Sequence, residues 1–307
     1  MAVRIEAQAG EARTPLFVRR RIPWKRLRRI PGIVLASIAI LFTMVILAVL
    51  APQVAPYDPL KTNLAARLVG PALLTGNGSG YVFGTDGVGR DVLSRIIFGA
   101  RISLVVGLGT VLVGGFLGSL LGLLCGYFAR SVDSAIMMAA DIQLSFPFLL
   151  LGILIMAILG PGTLNVILVL ALIIWVPFAR VMRSQVLSIK EKEFITAARA
   201  IGAGAWRLLI RHLLPNTVSS IIVIGTLELA RAVVVESTLS FLGLGVKPPE
   251  PSWGVMLADG RQYIGTAWWV AALPGLAILL TCLSANILGD WARDVLDPTL
   301  RHENFRA

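Results

Sequence analysis

Long apolar runs alternate with shorter polar ones along almost the whole chain. Six runs reach the roughly 20 residues that a helix needs to cross a hydrocarbon core, at about 33–54, 102–128, 135–159, 163–183, 217–239 and 267–289. The pattern predicts an all-α polytopic membrane protein with six transmembrane helices. The first run follows "RRRIPWKRLRRIPG", a charged stretch of the kind that precedes a signal peptide's apolar region. It is too long for that role, and "APYDP" offers no small-residue cleavage site, so it reads as a retained span.

Composition agrees. Of 307 residues, 56% are hydrophobic and only 15% charged, against about 25% charged in an ordinary soluble domain. The net charge of +11 does not point to nucleic acid, because the basic residues gather at the edges of apolar runs. Twenty of the 28 lie in the N-terminal arm, the Arg130 loop, the 180–211 segment and the tail. The positive-inside rule puts these regions and both termini in the cytoplasm. Cys125 and Cys282 fall inside apolar runs and read as packing residues. Trp253, Tyr263, Trp268 and Trp269 fall where an outer aromatic belt is expected.

The expected organisation is a cytoplasmic arm at 1–32, a first span at 33–54, an outer segment at 55–101, a five-helix core at 102–291, and a cytoplasmic tail at 292–307. "FGTDGVGRD" in the outer segment has the glycines of a phosphate loop, but no GxxxxGK[ST] occurs in the chain. It reads instead as a turn in which Asp86 caps a short amphipathic helix, "RDVLSRIIFGARI", leading into the second span. Glycines 107, 114, 118, 122 and 126 suit close helix packing. Asp141, Ser145 and Pro147 mark a polar, kinked start to the third span.

Charged residues inside spans are functional candidates. Glu228 and Arg231 can pair on one face of the fifth span, with Glu236 near the same face. That row reads as facing a water-filled path or a second membrane subunit, and Asp141 and Ser145 are candidates for the same path or interface. No catalytic set is recognisable: His212 and His302 are isolated and cytoplasmic, and no metal site is expected. An intramembrane enzyme would need a nucleophile–His pair or facing aspartates, and a secondary transporter usually shows internal repeats.

The cytoplasmic stretch "EFITAARAIGAGAWRLLIRHLLPN", 193–216, is alanine-rich and basic. As one helix near 193–212 it would line up Phe194, Ala198, Ile201, Ala205 and Leu208 as a slim apolar stripe, with a bend at Gly202 and Gly204. Arg199, Arg207 and Arg211 would flank it. An interfacial helix on anionic lipid, packing within the bundle, and docking to a partner protein all fit that pattern.

"TAARAIGAGAWRLLIRHLLP" resembles the Glu-Ala-Ala loop of permease subunits in ATP-binding-cassette importers. The match falls on Ala197, Ala198, Gly202, Leu214 and Pro215, with departures at Thr196 and His212. "VAPYDPL", "FGTDGVGRDVLSRIIFGARISL" and "ESTLSFLGLGVKPPEPSWGVML" resemble the C-type permease of dipeptide/oligopeptide importers, whose relatives also carry nickel or glutathione. The resemblance implies a type I ABC importer permease fold in a bacterial or archaeal cytoplasmic membrane. It makes the helix near 193–212 a coupling helix, with Phe194, Ala197, Ala198, Arg199, Ile201, Gly202, Ala205 and Arg207 meeting an ATPase. It also implies a homologous B-type permease, two cytoplasmic ATPase subunits holding ATP and Mg, surrounding lipid, and an extracytoplasmic solute-binding protein. Asp86, Arg90, Asp91, Lys247 and Trp253 are the candidates for meeting that binding protein. No cofactor is expected on this chain and no nucleic-acid partner.

Overall fold

In the computed structural model, residues 30–75, 80–247 and 249–296 are described. Most of the basic arm and the tail with His302 lie outside the described residues. The described chain is helical, with β pairing limited to an isolated bridge between Thr85 and Asp91. The main helices are α1 (Gly32–Val49), α2 (Val92–Phe128), α3 (Arg130–Leu144), α4 (Phe148–Leu159), α5 (Thr163–Lys190), α6 (Glu193–Ala200), α7 (Leu214–Phe241), α8 (Trp253–Gly260) and α9 (Trp269–Leu296). Five helical stretches are long and apolar enough to cross a membrane, or six if the bent α3–α4 pair counts as one span.

The bundle is organised on α2 and α5. At about 1.5 Å per residue, the 37 residues of α2 extend about 55 Å, well beyond a hydrocarbon core of about 30 Å. Its glycines form the seam with α5. A methyl group on Gly118 would lie 2.2 Å from the Trp175 carbonyl oxygen, and one on Gly122 would lie 2.3 Å from that of Ala179. Gly114 faces Ala171 and Ile174, and Gly126 faces Val186, whereas Gly107 turns to Val233 and Leu229 of α7. Small residues let two backbones approach closely where hydrophobic burial supplies no drive between helices. Around this seam pack α7 and α9, with α1 outermost; Ile33, Phe42, Val45 and Val49 of α1 remain exposed.

The third span departs from a single rod. α3 and α4 meet at 88° across Ser145–Pro147. Pro147 has no N–H to continue the ladder, and the Asp141 carbonyl oxygen accepts both the Ser145 N–H at 3.0 Å and the Ser145 hydroxyl at 2.9 Å. The 12 residues of α4 extend about 18 Å, too little to cross alone. α3 is held alongside α5 by the Asp133–Arg183 and Asp141–Arg180 ion pairs.

At one end of the bundle, hereafter the loop end, residues 56–75 and 80–91 fold together with 242–247 and 249–268. Three expectations are corrected here. The short helix before the second span is the first turns of α2, continuous through residue 101. The capping carboxylate is Asp91, which accepts from the Ser94 N–H at 2.8 Å; Asp86 has another role. The aromatic belt is also dispersed. Trp253 is fully buried and donates its indole N–H to the Ile96 carbonyl oxygen at 3.1 Å, and Trp269 donates to that of Thr85 at 3.2 Å. Trp268 keeps a largely exposed ring.

Candidate functional site

At the opposite, basic end of α2, residues 191–213 form an exposed structure in two pieces. α6 ends at Ala200 because Gly202 adopts φ +84°, the left-handed conformation that glycine accepts without strain. The Gly202 N–H bonds the Arg199 carbonyl at 2.9 Å, and the Ala203 N–H bonds that of Ala198 at 3.0 Å. These are the paired closures of a Schellman motif. After the turn come Ala205–Arg207 and a π-helical turn at Leu208–Leu213, which runs directly into α7. Pro215 follows immediately in α7, so the missing N–H falls where the π turn passes into the α-helix.

The expected continuous helix and its single stripe are therefore corrected. Ala198 and Leu208 turn inward with Ile195, Leu209 and Leu213 against Met182 and Val186 of α5. Phe194, Ala197, Ala205 and Arg207 are exposed, as is Gly202. Ile201 is 87% exposed, and Trp206, which sequence reasoning passed over, is 71% exposed. Arg199 lies 6.0 Å from the centroid of the Tyr127 ring, tying α6 to the end of α2. Its position makes Arg199 partly structural. The outward face combines bulky apolar groups with the cations Arg207 and Arg211, around a shallow hollow between Gly202 and Arg211.

Within the spans, the expected row of three charges divides. Glu228 and Arg231 pair on α7, with Arg231 Nη1 3.6 Å from Glu228 Oε1. Glu228 is only 8% exposed, and its Oε2 has no hydrogen-bond partner among the described residues. The Arg231 guanidinium lies 4.9 Å from the centroid of Phe148, the first residue of α4. Glu236 does not share this environment. Eight residues rotate the helix about 80° past two full turns, which carries it into the α2–α7 contact, fully buried. There its carboxylate accepts from Ser240 at 2.8 Å, Ser103 at 3.2 Å and Ser237 at 3.3 Å. Ser103 in turn accepts from the Trp253 N–H at 3.4 Å. Asp141, by contrast, is exposed and pairs with Arg180 at 2.5 Å.

A cavity of about 540 Å3 opens at the basic end between α5, α7 and α9. Its wall carries Gln185, Asn216, Ser219, Ser220, Asp290 and Arg293, with Leu227 deepest along α7.

At the loop end, three of the five binding-protein candidates are not surface groups. Trp253 and Asp91 are buried, and Asp86 is the centre of an ion cluster absent from sequence reasoning. Asp86 Oδ2 accepts from Arg95 Nη1 at 2.5 Å and Arg90 Nε at 2.7 Å; both arginines also reach Asp259, at 3.2 and 3.1 Å. Burial works to raise the Asp86 carboxyl, but the backbone N–H groups of Arg90 and Val88 and the two guanidinium groups outweigh it and hold the pKa below its ordinary value. Arg90 is half-buried, and only Lys247 among the five stands free to solvent.

The helical bundle has a counterpart among solved folds. It aligns with a chain of the MetNI methionine ABC transporter in an inward-facing conformation at a TM-score of 0.51 and 19% identity, covering 66% of this chain and 96% of that one. Residues 118–302 match the family model for the binding-protein-dependent transport system inner membrane component, and residues 20–71 match the N-terminal TM domain of oligopeptide transport permease C. The di/tripeptide transport system permease protein DppC of Pseudomonas aeruginosa is 43% identical over 87% of this chain and 88% of its own. The dipeptide permease DppC of Alkalihalophilus pseudofirmus is 40% identical over 91% of both. The glutathione permease GsiD of Pectobacterium atrosepticum is 41% identical over 92% of this chain and 93% of its own. The chain belongs to the inner-membrane permease family of binding-protein-dependent transport systems.

Proposed function

We propose that this chain is one of two permease subunits of an ATP-driven importer of short peptides, with its basic end in the cytoplasm. The 43% identity to a di/tripeptide permease, running through both the loop end and the basic end, carries the reading. The exposed groups Ile201, Trp206 and Arg207 support docking to a separate ATPase subunit that binds ATP and Mg, with Phe194 exposed at the mouth of the neighbouring cavity. An apolar surface of that kind below a membrane calls for a protein partner. A homologous permease completes the path, and an outer binding protein delivers solute at the loop end, where Lys247 and the edge of Arg90 are accessible.

ATP-driven closure of the ATPases moves α6 and the π turn, and α7 is continuous with that turn, so the motion enters the bundle through α7. The test is reconstitution of this chain with its companion permease, ATPases and binding protein in proteoliposomes. ATP-dependent uptake of labelled di- and tripeptides is expected, with glutathione a weak competitor. Saturating glutathione uptake without dipeptide uptake would replace the peptide reading.

A further inference from the structure

Resting on the peptide reading, we propose that Glu228 and Arg231 hold the charged termini of the travelling peptide, with Glu228 Oε2 accepting from the α-ammonium group and Arg231 donating to the α-carboxylate. A buried carboxylate oxygen without a donor is costly, because its desolvation is uncompensated. Glu228 Oε2 is such an atom, and the other oxygen meets Arg231 only at 3.6 Å. A second polar atom without a partner lies on the facing helix. Thr110 Oγ1 of α2 is buried and unpaired, between Gly107 and Val111, which oppose Leu229 and Gly225 of α7. The donor set around this level of α7 is therefore incomplete within the described residues.

The cavity runs from the basic end up α7 as far as Leu227, one turn short of Arg231. Asn216, Ser220, Val223 and Leu227 line it on successive turns of α7, and Arg231 is the next residue on that face at 3.6 residues per turn. Glu228 flanks the same face. The volume of about 540 Å3 falls in the ~300–1,000 Å3 range of small-molecule sites. Peptides differ in every side chain but share an ammonium and a carboxylate, so an acceptor beside a donor recognises the class and no single member. The pair is neutral overall, as is a zwitterionic peptide, so neither leaves a net charge in the membrane interior. A cation from the companion permease would satisfy Glu228 equally well. The cavity beneath, whose wall mixes hydroxyl, amide and charged groups with Val223, Ile224 and Leu227, favours the solute, since a packed protein or lipid contact needs no void of ligand size.

The experiment uses the full complex in proteoliposomes. Glu228→Gln is expected to lower dipeptide uptake about tenfold or more, the worth of a charge-assisted hydrogen bond, while the yield and subunit composition of the purified complex stay within about twofold. The exchanged pair E228R/R231E is expected to remain defective. A dipeptide carrying a photoreactive N-terminal residue, illuminated in the wild-type complex during turnover, is expected to label α7 near Glu228 or α4 at Phe148. The proposal is overturned if E228Q transports normally, or if the exchanged pair restores uptake. It is also overturned if E228Q releases the companion permease while uptake per intact complex is unchanged, or if label appears only elsewhere. A wild-type complex that takes up no peptide would instead remove the functional reading on which the proposal rests.

Discussion

The Ala203 backbone N–H closes on the Ala198 carbonyl oxygen at 3.0 Å, and this bond separates α6 from the π turn that feeds α7. Only the left-handed Gly202 between them lets the chain turn back. Nothing lies within 4 Å of where its Cβ would be, so a substitution there acts through backbone strain and not through a clash within this chain. Gly202→Val is expected to cost about 1–2 kcal/mol locally, to reorient Ile201 and Trp206, and to lower ATPase co-purification. Folded yield of the chain in detergent should change little.

Trp206 and Ile201 contribute almost nothing to packing within this chain. Trp206→Ala and Ile201→Ser are therefore expected to leave the thermal midpoint of the isolated chain within about 1 °C, because exposed substitutions usually change stability by less than about 0.5 kcal/mol. Both should weaken association with the ATPase about tenfold or more, as loss of an aromatic or aliphatic anchor does. Pull-down at graded ATPase concentration reads the difference. A lowered midpoint with unchanged association would count against the docking face.

The glycine seam makes the opposite prediction. Gly118→Ala sets a methyl group against the Trp175 carbonyl and is expected to destabilise the bundle by about 1–3 kcal/mol or to prevent its assembly. Gly204→Ala, whose φ is −67° and whose surroundings are open, serves as the neutral comparison. Thermal unfolding in detergent followed by size exclusion distinguishes them.

Asp86 links stability to pH. Its carboxyl is held below the ordinary 3.8, so the folded state binds the proton less tightly than the unfolded chain does. That contribution is fully present above the ordinary carboxylate range and is lost as pH falls through the depressed folded value. Thermal midpoints measured from pH 6 downwards should decline on the acid side, and the decline should be shallower in Asp86→Asn. At neutral pH the variant leaves buried Arg95 with only Asp259, a loss expected to approach the ~3–5 kcal/mol of breaking a buried pair.

Apolar run length located the spans, though not the break in the third, and the glycine spacing in α2 marked a close-packing face without naming its partner, because both depend on local pattern. The split of the basic segment was legible in principle at "AIGAG", where an isolated glycine after a helical run marks a left-handed stop. A stripe drawn through Gly202 assumed that the helix continued, which placed Ala198 outward when it packs inward beside Ile195. Asp86 and Trp253 looked like surface groups because loops usually lie on surfaces. Their burial depends on Arg95 and Asp259, 164 positions apart, and on Ile96, 157 positions from Trp253. No window along the sequence contains such pairs. The separation of Glu236 from Glu228 needed the 80° of helical drift to be taken seriously.

The length of α2 has a mechanical consequence. One continuous rod runs from the serine-lined Glu236 pocket to the Tyr127 ring beneath Arg199, and its glycines lock it against α5 for several turns. Two helices joined so closely resist bending and behave as a plank. A tilt imposed at either extremity therefore reaches the other directly, and communication across the membrane needs no chain of switching side chains.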